Sequence, residues 1–126
     1  MKSIVARFAP SPTGPMHIGN VRTGIFNYLF CRKTGGAYML RIEDTDKVRS
    51  TKESEDALRA GIEWLGLKWD NDVVWRQSER TEIYKKYLHQ LIGSDKAYIS
   101  HETEGENKEV VRFRNPNKVV TFEDLI

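Results

Sequence analysis

Three of the four prolines in this chain of 126 residues, Pro10, Pro12 and Pro15, fall within six positions. Proline fixes φ and carries no N–H, so residues 9–16 can be neither helix nor ladder-paired strand. The fold is therefore hung on a stiff loop, and the flanks of that loop say what kind of fold it is. Before it, Ser3-Ile4-Val5-Ala6-Arg7-Phe8 is rich in strand formers and predicts a strand over 3–8. After it, Ile18, Val21, Ile25 and Leu29 recur at three- and four-residue steps, with Phe26 and Phe30 beside them. That period predicts a helix over 17–33, stopped by Gly35-Gly36. A second strand is expected over 37–43. Strand, helix and strand at this spacing make a βαβ unit with parallel strands and a right-handed crossover. Ligands of such sheets bind at the carboxyl ends of the strands, so the loop at 9–16 and the segment from Glu43 should face one crevice.

Further along, Ser50-Thr51-Lys52-Glu53 reads as a capping box, with Ser50 as N-cap of a helix carrying Leu58, Ile62 and Leu65 and ending at Gly66. Residues 69–75 read as an irregular or extended link. A third helix is expected from about Glu79 to Ile92, with the stripe Ile83, Tyr84, Tyr87, Leu88, Leu91. Lys96 to Ile99 is strand-like. Val110 to Phe113 and Lys118 to Phe122 are strand-like too, and Asn115-Pro116-Asn117 between them predicts a hairpin. A hairpin with nothing to pack on is marginal in water, so the chain is expected to be the N-terminal piece of a longer one.

Charge is uneven. Residues 1–42 hold six basic side chains (Lys2, Arg7, Arg22, Arg32, Lys33, Arg41) and no acidic one, which suits an anionic ligand, although the whole chain is only +2. Cys31 is the single cysteine, which excludes an internal disulfide or multi-cysteine zinc site and fits a reducing, cytoplasmic setting. No apolar run approaches the roughly 20 residues of a membrane span, and no secretory leader is visible.

Three constellations carry candidate chemistry. Thr13-Gly14-Pro15-Met16-His17-Ile18-Gly19-Asn20 places a histidine and a glycine at the start of a helix that follows a strand. Helix N-termini offer free N–H groups and partial positive charge to phosphate. Gly19 allows close approach to the backbone, while His17 and Asn20 add donors. Arg7 and Glu43 end neighbouring strands. They could grip the carboxylate and ammonium of a zwitterion, or simply pair with one another across the strands. Asp44-Thr45-Asp46…Arg49 could meet a metal, a ribose or a phosphodiester, though composition alone makes it a solvated loop. His89 and His101 lack ligand partners and read as surface residues, and Cys31 as a small buried hydrophobe.

The run from Arg7 through Asn20, Arg22-Thr23, Phe26 to Phe30, Gly35-Gly36, and Leu40-Arg41-Ile42-Glu43-Asp44-Thr45-Asp46 closely resembles the N-terminus of bacterial glutamyl-tRNA synthetases. Gln77-Ser78-Glu79-Arg80, Lys96-Ala97-Tyr98 and the residues from Val119 to Ile126 are also similar to that family. The resemblance spans nearly the whole chain. It implies an α/β fold: an incomplete, Rossmann-like parallel βαβ nucleotide-binding domain over 1–95, with the start of an inserted acceptor-binding domain over 96–126.

The implied chemistry is attack of the glutamate carboxylate on the α-phosphate of ATP, release of pyrophosphate, and transfer of glutamate to the terminal ribose of tRNA(Glu). By this resemblance His17 and Asn20 are catalytic. Pro10, Ser11, Pro12, Thr13, Gly14, His17, Gly19 and Asn20 bind ATP, which comes with Mg²⁺. Arg7, Ser11 and Glu43 bind glutamate, and Thr45 and Arg49 touch the acceptor end of tRNA. His17-Ile18-Gly19-Asn20 stands where the class usually has His-Ile-Gly-His. A Lys-Met-Ser-Lys-like loop is absent, so this stretch is not expected to catalyse by itself. No protein-held metal is expected. Ile99-Ser100-His101-Glu102-Thr103 lacks the cysteines with which some relatives hold zinc, so zinc is not expected either. The full-length protein is expected to be a cytoplasmic monomer with no membrane contact. The alternatives are a non-catalytic module for nucleotides or tRNA ends, a nucleotidyltransferase, and the related enzyme that makes glutamyl-queuosine on tRNA(Asp).

Overall fold

The computed structural model describes residues 4–105 and 107–124. The chain divides into two compact units, Met1–Thr81 and Glu82–Ile126. In the first, β1 (Val5–Phe8) leads through the proline loop to α1 (Ile18–Thr34), then β2 (Ala37–Ile42), α2 (Lys52–Trp64) and a two-residue β3 (Trp75–Arg76). The strand order is β1-β2-β3. β1 and β2 run parallel with Val5 opposite Ala37 and Phe8 opposite Leu40, and β3 joins parallel at Arg41 and Ile42. A single 3-10 turn, Gln77–Arg80, follows β3.

Alternation along the strands decides what faces the core. Tyr38, Leu40 and Ile42 are fully buried, and with Phe8 they meet Cys31 from α1, Leu58 and Ile62 from α2, and Leu67. Both helices thus cover one face of the sheet. Each fully buried Leu or Ile contributes about 1.5–3 kcal/mol. The other face carries Val5, Arg7, Met39 and Arg41, with Val5 61% exposed. The α1 stripe is only partly used. Ile25 and Tyr28 pack on the core, whereas Ile18 is 82% and Leu29 57% exposed. α1 ends as expected: Gly35 takes φ 66°, and the Gly36 N–H donates to the Cys31 carbonyl at 2.9 Å.

On the edge away from β1, the amino-terminal half of β2 is completed by side chains rather than by β3. Asp70 Oδ2 accepts the Tyr38 N–H at 2.7 Å, and Asn71 Oδ1 accepts the Leu40 N–H at 2.8 Å. Asn71 Nδ2 in turn donates to the Leu40 carbonyl at 3.0 Å. Arg32 from α1 holds both oxygens of Asp70 at 3.0 Å.

Several local expectations are corrected. The N-cap of α2 is Thr51, whose Oγ1 accepts the Ser54 N–H at 3.1 Å, not Ser50. The Ser50 N–H instead closes a turn on the Asp46 carbonyl at 2.9 Å, which moves the helix start on by one residue. The link at 69–75 ends in β3. The third helix begins as the 3-10 turn and continues as α3 (Thr81–Gly93).

In the second unit the hairpin is β4 (Ala97–His101) with β5 (Glu109–Phe113), antiparallel, Ala97 opposite Phe113. Residues 118–122 form no strand, and Val119 and Phe122 are 90% and 86% exposed. The turn at Asn115-Pro116-Asn117 exists, with the Asn117 N–H on Asn115 Oδ1 at 3.0 Å, but β5 already has its partner in β4. The ends of the expected β1 and of the chain, Ser3 and Leu125-Ile126, lie outside the described residues.

The Tyr38 hydroxyl is buried without a hydrogen-bond partner among the described residues, and burial raises its pKa to about 12. An unmet buried hydroxyl costs more than it returns. Tyr38→Phe is therefore expected to raise the unfolding free energy by about 1 kcal/mol in urea titrations. A loss of stability would mean that the hydroxyl is satisfied.

Candidate functional site

The loop after β1 and the segment after β2 meet, as the βαβ topology requires. The Glu43 N–H donates to the Pro10 carbonyl at 3.0 Å, which ties the two strand ends together. A cleft of about 330 Å³ opens beside this tie, lined by Pro10, Ser11, Thr13, His17, Asn20 and Thr23 among others. Five of the residues expected to bind ATP therefore share one hollow at the start of α1. Pro12 is buried and lines a neighbouring cavity of about 370 Å³ with Asp44, Lys47, Ser50, Arg76 and Ser78. Gly14, at φ 154°, has open space about it.

His17 is the N-cap of α1. Its Nδ1 accepts the Gly19 N–H at 3.2 Å. With Nδ1 an acceptor, the neutral ring carries its proton on Nε2, the nitrogen left to meet a ligand. Gly19 leaves room for this arrangement. A Cβ there would stand 3.1 Å from both Cε1 and Nδ1 of the imidazole. The His17 ring thus borders the space that the glycine leaves open. Thr23 lines the cleft, and its hydroxyl donates to the Gly19 carbonyl at 3.3 Å.

Arg7 and Glu43 are ion-paired, NH1 to Oε1, at 3.2 Å. A second guanidinium, that of Arg41, reaches the same Oε1. The sequence points to Arg41 only as one of the basic residues of the first third, not as a partner of Glu43. Its signal is the i, i+2 spacing to Glu43 at the end of a strand, which puts both side chains on one face.

Thr45 is exposed, and Arg49 lies on an exposed turn, its Nε on Asp46 Oδ2 at 2.6 Å and its N–H on Asp46 Oδ1 at 3.1 Å. Hydrogen bonds from Arg49 lower the pKa of Asp46 below its ordinary value. Asp44 is spent on structure. Its oxygens accept the Ser78 N–H at 2.9 Å and the Ser78 hydroxyl at 2.5 Å. Burial, the largest single influence, pushes its pKa up, but the two Ser78 donors, its own backbone N–H and the Arg76 charge together outweigh it and the net direction is down. Among the described residues no group of three or more His, Cys, Asp or Glu side chains is placed to hold a metal ion, so Asp44 and Asp46 do not form a cage.

Glu55 was also missed. It is 5% exposed and accepts from Arg59 Nε at 2.9 Å, Arg76 Nε at 2.9 Å and Arg76 NH2 at 2.7 Å. The signal was present in the sequence: Glu55 stands one turn before Leu58 and two before Ile62 on the apolar stripe of α2, with Arg59 four residues on.

These carboxylates predict a pH response. Arg76 lowers the pKa of Glu55 by more than burial raises it, and Arg32 lowers that of Asp70. Groups depressed by folding stabilise the chain above their unfolded pKa, about 4. That contribution is lost as pH falls through their folded values. The melting temperature is expected to be flat from pH 7 to about 5 and to fall below about 4. Thermal scans across that range check it, and a decline already complete by pH 5 would contradict it.

Taken together, a parallel α/β sheet with a histidine-capped helix and an arginine–carboxylate pair at its strand ends has the make-up of a class I synthetase nucleotide fold. The family described as tRNA synthetases class I (E and Q), catalytic domain, matches residues 3–120, and the chain belongs to it. It is 43% identical over 148 aligned positions to a glutamate–tRNA ligase 2 of Fervidobacterium nodosum, a match covering 99% of this chain and 32% of that protein. It is 60% identical over 92 to a glutamate–tRNA ligase of a Hydrogenobaculum species, covering 73% and 19%. A crystal structure of a glutamate tRNA ligase from Elizabethkingia meningosepticum in complex with its amino acid superposes with TM-score 0.74 at 42% identity, over 81% of this chain and 22% of that one. The chain thus spans about a fifth to a third of the length of these relatives.

Proposed function

We propose that this chain forms the amino-acid and nucleotide face of a glutamate–tRNA ligase. The observation that carries the reading is the Arg7–Glu43 pair joined to the His17 cleft through the Glu43-to-Pro10 hydrogen bond. Glutamate enters as a zwitterion. One carboxylate draws Arg7, Glu43 receives the ammonium, and Ser11 adds a hydroxyl. The triphosphate of ATP lies along the proline loop, against Pro10, Ser11, Thr13 and the α1 N-terminus. Pro12 and Gly14 shape that loop. An oxygen of the other carboxylate then attacks the α-phosphorus of ATP, forming the new P–O bond as the bond to the pyrophosphate leaving group breaks. His17 Nε2–H and Asn20 donate to phosphate oxygens as charge builds on them.

Magnesium enters with the triphosphate and shields its charge. Thr45 and Arg49, on their exposed turn, meet the acceptor end of tRNA(Glu), whose terminal ribose takes the glutamate. Residues 96–126, with the β4–β5 hairpin, begin an acceptor-binding domain. The protein works in the cytoplasm as a monomer. Among the described residues no helix is long and apolar enough to cross a membrane.

The test is exchange of labelled pyrophosphate into ATP, with and without tRNA, on this chain alone and on this chain joined to the remaining length of a relative. Exchange that depends on glutamate in the joined protein is the expected result. A folded joined protein with no exchange, but with nucleotide bound, would instead favour the non-catalytic binding module.

A further inference from the structure

Glu43 is served by two guanidiniums through a single oxygen. Oε1 accepts from Arg7 NH1 at 3.2 Å and also from Arg41 NH2, while no hydrogen bond reaches Oε2 among the described residues. The two arginines are held very differently. Arg7 stands on the edge strand with its side chain 47% exposed, and Glu43 is its only partner among the described residues. Arg41 stands on the central strand, 23% exposed, with its Nε buried and without an acceptor. Arg7 can therefore swing away at little cost, whereas Arg41 is packed in place. A buried Nε–H without an acceptor is a cost the fold carries at this position.

A zwitterionic ligand makes opposite demands on the pair. Its carboxylate draws Arg7 off Glu43 at the moment its ammonium needs a fixed, charged Glu43. With Arg7 gone, an unsupported carboxylate would be free to rotate. The Arg41 charge itself opposes a nearby ammonium, but Arg41 occupies Oε1 and the open oxygen is Oε2. We propose that Arg41 is a positioning residue: it keeps hold of Glu43 Oε1 when Arg7 turns to the substrate carboxylate, so that Oε2 is presented to the substrate ammonium. This rests on the reading of Arg7 and Glu43 as the amino-acid clamp. Arg41 itself touches no ligand.

The experiment compares glutamate with glutarate, which has the same two carboxylates and no amine. Calorimetric or NMR titrations of the chain are run with each acid and with ATP, for the unaltered protein, Arg41→Met and Arg41→Lys. The unaltered chain is expected to prefer glutamate. Arg41→Met should shrink that preference about tenfold, the effect of one charge-assisted hydrogen bond, and leave ATP affinity within about twofold. Arg41→Lys should restore part of the preference, since it supplies the charge without the fork. Equal weakening of both acids, or no change in their ratio, would overturn the proposal, because a merely structural arginine has no reason to distinguish an amine. If circular dichroism shows the methionine variant unfolded, the lysine variant decides. An intermediate glutamate-to-glutarate ratio supports the role and an unaltered ratio ends it. Failure of the unaltered chain to bind either acid would defeat the clamp reading itself, a different result from an unchanged preference.

Discussion

Glu55→Gln is expected to lower the unfolding free energy by about 3 kcal/mol. The carboxylate is 5% exposed and takes three hydrogen bonds from Arg59 and Arg76. Glutamine keeps the volume but removes the charge, and its amide sets donors against guanidinium donors. Breaking one partner out of a buried ion cluster costs about 3–5 kcal/mol. Arg59 and Arg76 are 25% and 31% exposed, so water takes up part of their lost pairing and the lower end applies. That is a large share of the about 5–15 kcal/mol that holds an ordinary domain folded. The contrast is Asp56→Asn. Its pair with Lys52 lies on the same helix but is exposed on both sides, and such pairs contribute little. Urea unfolding of the two variants side by side is the check, and equal effects would refute the account. The consequence reaches the site, because Arg76 ends β3 and the next turn carries Ser78, which holds Asp44 directly after Glu43.

What the sequence disclosed and what it hid follow one physical division. β1, α1, β2 and α2 are set by local signals: prolines that forbid structure, a glycine at positive φ, and an apolar stripe at helical period. Those signals are written within a few residues, and the elements they mark lie where the pattern placed them. β3 rests on two ladder pairs to β2 and on Asp70 and Asn71 reaching Tyr38 and Leu40 more than thirty residues away. No local pattern encodes such a reach. The expected pairing of residues 110–113 with 118–122 failed for a related reason. Val110 to Phe113 had two strand-like neighbours, and the choice of β4 over residues 118–122 is a matter of pairing, not propensity. Periodicity also says that Ile18 and Leu29 belong to one stripe, but not whether anything covers it. Both are exposed here, as are Val5 and Arg7 on the other face of the sheet, although parallel sheets are normally covered on both faces. At the site, the meeting of the two strand ends was legible from topology. The sharing of Glu43 between two arginines was not, because charge on a strand end reads equally as solvated surface.

His17→Ala is expected to slow glutamate activation about 10²–10³-fold in the protein extended to the length of its relatives, the effect of losing one donor to the reacting phosphate. The difficulty is that His17 also caps α1, through Nδ1 and the Gly19 N–H at 3.2 Å. Loss of an N-cap costs about 1 kcal/mol of stability by itself, and a loosened helix start could depress the rate without any role in the chemistry. His17→Asn separates the two effects. Asparagine is among the best N-caps and can accept the same N–H, but it ends short of the position held by Nε2. The asparagine variant should melt like the unaltered protein and exchange pyrophosphate as slowly as the alanine variant. If asparagine restores the rate along with the stability, His17 is a cap and nothing more, and the phosphate must take its donors from Asn20 and the backbone of α1. If the rate stays low on a stable fold, the imidazole acts on the nucleotide through the nitrogen that the cap leaves free.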